Sequence, residues 1–376
     1  MKATRIPELD GLRGIAILLV VCLHYIGIQG ATGGPITKLL HRIVELGWSG
    51  VDLFFVLSGF LIGGILLDAR DSPNYFKTFY ARRFFRIIPI YYAWVLLYLF
   101  LVTFAGRFIQ AHSNSGRAEM SGLPVYLHFL FLQNIWPIAF FGLGGAWLEP
   151  MWSLAVEEQF YLVGPWLIRL FSKRSLYYVL LVLVIGAPLL RMGLLTVAHA
   201  GTDVVYMSMP CRADALALGV LAALLWRDDG VRERFASHAG IFTAVRAVLG
   251  LGVLCLLVWW PKNTDFVEQT IGYTWLAAFY GVCVLSVLVR PAGLLARWMR
   301  VRWLREVGIV SYCIYLIHAA VDVLCHGVLL RSAPRVSTPA SAAVTILAAV
   351  LTYAIARLSW QFFERPLLER GHRFKY

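Results

Sequence analysis

Ten runs of about 20 apolar residues divide this chain, and nothing else in it narrows the possible folds so far. A helix of that length crosses the ~30 Å hydrocarbon core of a bilayer and satisfies its own backbone hydrogen bonds there. The runs fall at 11–30, 49–67, 86–105, 152–170, 176–196, 208–226, 242–260, 270–289, 307–329 and 339–361. The expected fold is therefore all-α, a polytopic integral membrane bundle of about ten transmembrane helices, with the lipid bilayer as its first partner. A mean hydropathy of +0.71 with only 15% charged residues excludes a soluble globular domain. The first run keeps Arg13 and His24 inside it and lacks a small-residue cleavage site, so it reads as a retained helix and not a removed signal peptide.

A net charge of +13 would suit a nucleic-acid binder, but in a polytopic chain basic cytoplasmic loops account for it, and no nucleic-acid partner is expected. Charge also decides the doubtful segment 123–141, which is apolar yet carries Pro124, His128, Gln133, Asn134 and Pro137. If it does not span, sixteen Lys and Arg of the later connections face one side, from Arg169 to Lys375. Five face the other: Arg191, Arg212, Lys262, Arg331 and Arg335. Counting 123–141 as a span reverses the ratio, against the positive-inside tendency. The expected topology has both termini cytoplasmic in the plasma (inner) membrane. Residues 106–150 then form an outer loop holding a re-entrant or surface helix. Five of the six cysteines sit inside apolar runs and Cys211 begins one, with no metal-ligand spacing. Buried thiols, no disulfide framework and no metal are expected. There is no internal repeat.

Polar residues inside these runs are the candidate functional residues, because ionisable groups at membrane depth are costly. Arg13 and His24 are eleven residues apart, which on a helix is about 16 Å of rise and about three full turns, so they share a face. A core His bonded to a carbonyl is the plain alternative for His24. Asp52 opens the second run, as a helix-terminal carboxylate or as part of a site. Ser58 and Gly59 lie deeper, where small residues permit close packing or leave room for a thin ligand. Arg82, Arg83 and Arg86 cluster at helical spacing, as a lipid collar or a phosphate clamp. Trp152, Glu157, Glu158 and Tyr161 enter the fourth run; two consecutive carboxylates cannot both face lipid, so at least one faces the protein interior. Arg212 and Asp214 form a structural pair or line an outer vestibule. Ser311, Tyr315 and His318 share one helix face. Glu364 and Arg365 read as structural at the inner boundary. Counted at ~1.5 Å per residue from each run's start, His24, Ser58, Glu157 and His318 lie about 17 to 22 Å from the inner side, in one slab.

The ordered set of motifs resembles membrane acyltransferase family 3. It comprises Arg13-x10-His24, Val-Asp-Leu-Phe-Phe-Val-Leu-Ser-Gly-Phe at 51–60, Arg-Arg-x-x-Arg-Ile-x-Pro-x-Tyr at 82–91 and Trp-Ser-Leu-x-x-Glu-x-Gln-Phe-Tyr at 152–161. It continues with Arg-x-Asp at 212–214, Ser-Tyr-x-x-Tyr-Leu-x-His at 311–318 and Phe-Glu-Arg-Pro at 363–366. The resemblance implies a single membrane-embedded acyltransferase domain over 1–376. It implies a membrane-bound O-acyltransferase, moving an acyl group, usually acetyl, from cytoplasmic acyl-CoA to hydroxyls of glycans or other acceptors. Some relatives carry a hydrolase-like domain after the last span, and none is expected within this chain. The expected roles join the two readings. Arg13, Arg82, Arg83 and Arg86, with Ser58 and Gly59, would hold acyl-CoA. His24 would act as general base, with Glu157 orienting it, binding acceptor or stabilising the imidazolium, and Tyr315 or His318 donating to the oxyanion. Asp52, Trp152, Tyr161, Arg212 and Asp214 would bind the acceptor. A covalent acyl-His or acyl-Ser58 intermediate stays open. The rival classes are a transporter or flippase using the buried charges as gates, an acyltransferase with a lipid or peptide acceptor, and a structural membrane subunit.

Overall fold

The apolar runs become ten helices of 17 residues or more in a computed structural model that describes residues 6–27, 41–112, 125–135, 145–260 and 262–376. They are α1 (Pro7–Tyr25), α2 (Gly50–Asp68), α3 (Tyr75–His112), α4 (Trp152–Leu170) and α5 (Lys173–Thr196). Then follow α6 (Met209–Trp226), α7 (Ala239–Trp259), α8 (Tyr273–Val289), α9 (Ser311–Leu330) and α10 (Pro339–Ser359). A π turn at Trp360–Glu364 leads into α11 (Arg365–Gly371). No strand occurs among the described residues. The end of the first run, 28–30, lies outside them.

Local chemistry sets the ends. Pro7 starts α1, with Glu8 and Asp10 in its first turn, where the helix dipole favours carboxylates. Ser172 caps α5 by accepting from the Ser175 amide at 3.1 Å, and Thr338 with Ser341 forms a capping box on α10. Eight helices are long and apolar enough to cross a membrane among the described residues. The two long helices not among them are α1, with Glu8, Asp10 and Arg13, and α4, with Glu157, Glu158 and Arg169. Those two carry Arg13, His24, Trp152, Glu157 and Tyr161 of the candidate site. At 38 residues α3 is about 57 Å long, far more than a bilayer core needs. Arg82, Arg83 and Arg86 stand at its eighth, ninth and twelfth positions, at or before the start of the apolar run 86–105.

Glycines set the close crossings. A Cβ at Gly59 would collide with the Leu216 carbonyl oxygen, and one at Gly219 with that of Val56, so α2 and α6 meet backbone to backbone. Of the two readings of Gly59, close packing and room for a thin ligand, the α6 backbone against it agrees with close packing. Gly11 and Gly14 similarly admit the short helices Leu294–Met299 and Arg302–Ile309 against α1. Between α3 and α4, the described part of 123–141 forms one helical turn, Tyr126–Phe129, and then breaks at Phe131 with φ 53°. Its His128, Gln133 and Asn134 are buried, and Gln133 donates to Tyr91 Oη (3.0 Å) and the Met151 carbonyl (2.8 Å). Within the expected outer loop, 113–124 and 136–144 lie outside the described residues.

Candidate active site

Two histidines meet where α1 and α9 cross. The His24 and His318 rings are 4.8 Å apart between centroids, edge to face. His24 Nδ1 lies 2.8 Å from the Val20 carbonyl one turn back. His318 Nδ1 faces the Ile314 and Tyr315 carbonyls at 3.1 and 2.8 Å. A carbonyl only accepts, so in each neutral ring the proton sits on Nδ1 and Nε2 keeps its lone pair. His318 Nε2 is buried without a hydrogen bond, while His24 is only half-buried. The Tyr25 hydroxyl donates to the His318 carbonyl at 2.9 Å and fixes the crossing.

These bonds reassign two expected roles. The Val20 carbonyl orients His24, where Glu157 had been one candidate. Neutral His318 offers a lone pair and not the donor hydrogen an oxyanion needs. The Tyr315 hydroxyl remains a donor; it lies 2.6 Å from Ser153 Oγ, and its ring is 5.9 Å from that of His318. Ser153, inside the Trp-Ser-Leu motif, makes this contact with Tyr315, and the sequence reading passed over it.

Towards the end of the bundle that holds the α1 and α3 N-termini, a second polar group follows. Tyr161 Oη donates to Glu157 Oε2 at 3.4 Å and meets Ser58 Oγ at 2.6 Å. Arg13 and Arg86 act electrostatically on Glu157, and also on Glu364 of the π turn. The Ser359 hydroxyl holds Glu364 Oε1 at 3.0 Å. Glu364, expected to be structural, is thus also a counter-charge to the arginines. The Arg83 guanidinium lies 5.8 Å from the Tyr161 ring centroid, and Arg83 Nε is buried without a hydrogen bond. Arg13, Arg83, Arg86, Glu157 and Glu158 are all half-buried, so this group borders open space. Arg82 differs: its Nε and Nη2 both donate to the Phe374 carbonyl, at 3.0 and 2.7 Å.

The residues expected at an acceptor site separate into another cluster. Arg212 pairs with Asp52, and both are fully buried. Its guanidinium stands 4.0 Å from the Tyr273 centroid and 5.3 Å from that of Tyr206. Asp214 pairs instead with Arg191 at 2.9 Å and accepts from Thr274. Trp152 is buried against Tyr206, with centroids 4.7 Å apart. Asp52, Arg212 and Asp214 therefore tie α2, α5, α6 and α8 together, and none lines either cavity described here. Of the acceptor set, Tyr161 alone borders the half-buried polar group. A cavity of about 360 Å³ between α4, α5 and α6 is apolar and holds none of these side chains.

Comparison with known proteins fits this arrangement. A family model described as an acyltransferase domain matches residues 6–356. The peptidoglycan O-acetyltransferase OatA of Listeria monocytogenes is 31% identical over 97% of this chain and 56% of its own length. The O-acetyltransferase OatA of Staphylococcus aureus is 26% identical over 98% of the chain and 58% of its own. A putative peptidoglycan O-acetyltransferase, YrhL of Bacillus subtilis, is 28% identical over 98% and 56%. The chain thus spans little more than half the length of these relatives. No solved structure matches it.

Proposed function

The chain belongs to acyltransferase family 3, and from that membership and the geometry of the site we propose that it moves an acetyl group from acyl-CoA to a glycan hydroxyl. The observation that carries the chemistry is the His24–His318 pair, with both Nδ1 protons tied to carbonyls and an Nε2 lone pair left on each ring. Relatives named as peptidoglycan O-acetyltransferases supply the acceptor class, a glycan outside the cytoplasm.

The donor's phosphates would lie among Arg13, Arg83 and Arg86, whose guanidinium groups suit phosphate oxygens. That end of the bundle is then cytoplasmic, in keeping with the sixteen-to-five distribution of basic residues. From Arg13 the helix climbs about 16 Å to His24, roughly the reach of a pantetheine arm, which would present the thioester beside His24. The acceptor hydroxyl oxygen attacks the thioester carbonyl carbon while His24 Nε2 takes its proton. The C–S bond breaks as the ester forms. The imidazolium then returns the proton to the CoA thiolate, so the enzyme ends as it began. His318 Nε2, a buried acceptor at the edge of the pair, stabilises His24 while it is charged. Tyr315 supplies the oxyanion donor, with Ser153 holding its hydroxyl. Glu157 balances the arginines and, through Tyr161, holds Ser58. Ser58 meets both the Tyr161 hydroxyl and the Glu157 carboxylate, and direct transfer needs no acyl-Ser58 intermediate.

The test is mass spectrometry of surface glycans from cells with and without the gene, beside acetyl-CoA turnover by the purified protein. A gain of one acetyl mass per glycan unit that depends on the gene supports the proposal. An unchanged glycan profile together with no acetyl-CoA consumption overturns it.

A further inference from the structure

Beside the arginines lies a small polar pocket of about 80 Å³. Arg82, Arg83 and Arg86 line one side and His372 and Tyr376 the other. No acidic side chain lines it among the described residues. A space of this size has room for one phosphate-sized group.

The wall opposite α3 is the segment 371–376, and it is strapped down at several points. Arg82 donates twice to the Phe374 carbonyl, at 3.0 and 2.7 Å, and its guanidinium sits 4.9 Å from the Tyr376 ring centroid. The Thr78 hydroxyl donates to the Lys375 carbonyl at 2.8 Å. The Phe85 and Phe374 rings are 6.1 Å apart. Arg82 is therefore occupied by backbone, while Arg83 Nε has no hydrogen bond although it is buried.

We infer that this pocket takes a single phosphate monoester, the 3′-phosphate of CoA, between Arg83, Arg86 and His372, and that the strap held by Arg82 and Thr78 forms its outer wall. The inference rests on the reading of the donor as acyl-CoA and adds which phosphate binds where. Arg82 becomes a positioning residue that shapes the pocket through residues 371–376, Tyr376 is part of that strap, and His372 becomes a donor-binding residue. A monoester fits because it carries up to two negative charges and three free oxygens into a site with two available guanidinium groups and an imidazole.

The experiment is a binding titration of the purified full chain in nanodiscs with CoA and with dephospho-CoA. The proteins are the parent, Thr78→Val, Arg82→Gln and Tyr376→Ala. Loss of one charge-assisted contact costs about tenfold or more in affinity, so the parent should favour CoA by at least that factor. All three strap variants should lose most of this preference and keep the dephospho-CoA affinity of the parent, which also reports that they are folded. If the parent binds the two ligands equally, the phosphate does not enter this pocket and the inference fails while the donor reading stands. If the parent binds neither, the donor reading fails. If Arg82→Gln alone loses the preference, Arg82 contacts the phosphate itself and the strap is refuted.

Discussion

Replacing His24 with alanine should separate chemistry from donor binding. The structure sets both magnitudes. The imidazole makes one hydrogen bond, to the carbonyl of its own helix, and is only half-buried. Its loss should cost about 1 kcal/mol of stability, so the variant should fold. Arg13 lies about 16 Å away along α1, which leaves the phosphate end untouched. Removal of a general base typically lowers the rate by about 10²–10⁴, or roughly 3–5 kcal/mol of transition-state stabilisation. The expected result is a fall in kcat of that size with nearly unchanged CoA affinity. Arg13→Ala should do the reverse, raising the acyl-CoA requirement first and recovering in part with excess donor. Steady-state transfer and CoA binding, measured on both variants in the same nanodiscs, decide the matter. Near-normal turnover by His24→Ala would make His24 a core histidine bonded to a carbonyl, and the mechanism would be refuted.

Other perturbations test other parts of the molecule. Arg212→Ala leaves the Asp52 carboxylate buried without its partner, so thermal unfolding should report a loss of about 3–5 kcal/mol, and an unchanged midpoint would show that the pair does not tie α2 to α6. The His372 pKa lies below its ordinary value, through burial first and then Arg82, Arg86 and Arg83, with Glu369 acting the other way. A bound phosphate monoester would raise that pKa, so binding takes up protons and CoA affinity should rise as the pH falls from about 8 towards 6.5. Comparing the parent with His372→Gln separates this from titration of the phosphate itself, and identical profiles would remove His372 from the site. Cysteines placed at Ser115 and at Lys375 should label from opposite sides of the membrane, Ser115 from outside; labelling from the same side would refute the topology.

The helices were legible because a bilayer leaves the backbone little choice. A run of about 20 apolar residues must close its own hydrogen bonds, and each of the ten runs overlaps one long helix, usually within a few residues. The same argument brought His24 and His318 to one depth, and the structure brings them into contact. Depth, however, says nothing about azimuth. Arg212 and Asp214 are two residues apart on one helix and therefore point about 200° from each other, which argues against a pair between them. That rotation sends Arg212 to α2 and Asp214 to α5, a consequence available from the sequence had the angle been applied. Orienting His24 was one of three roles open to Glu157, but a histidine near the end of its own helix finds a carbonyl one turn back at no cost in chain entropy. The strap could not be read at all. Its contacts join Thr78 to Lys375, 297 residues apart, through backbone carbonyls that any residue carries. A carbonyl leaves no mark on side-chain periodicity. Sequence reasoning therefore found the arginines and missed what one of them holds. Arg82 matches the family motif as well as Arg83 does, and only the structure shows that its two donors end on the Phe374 carbonyl.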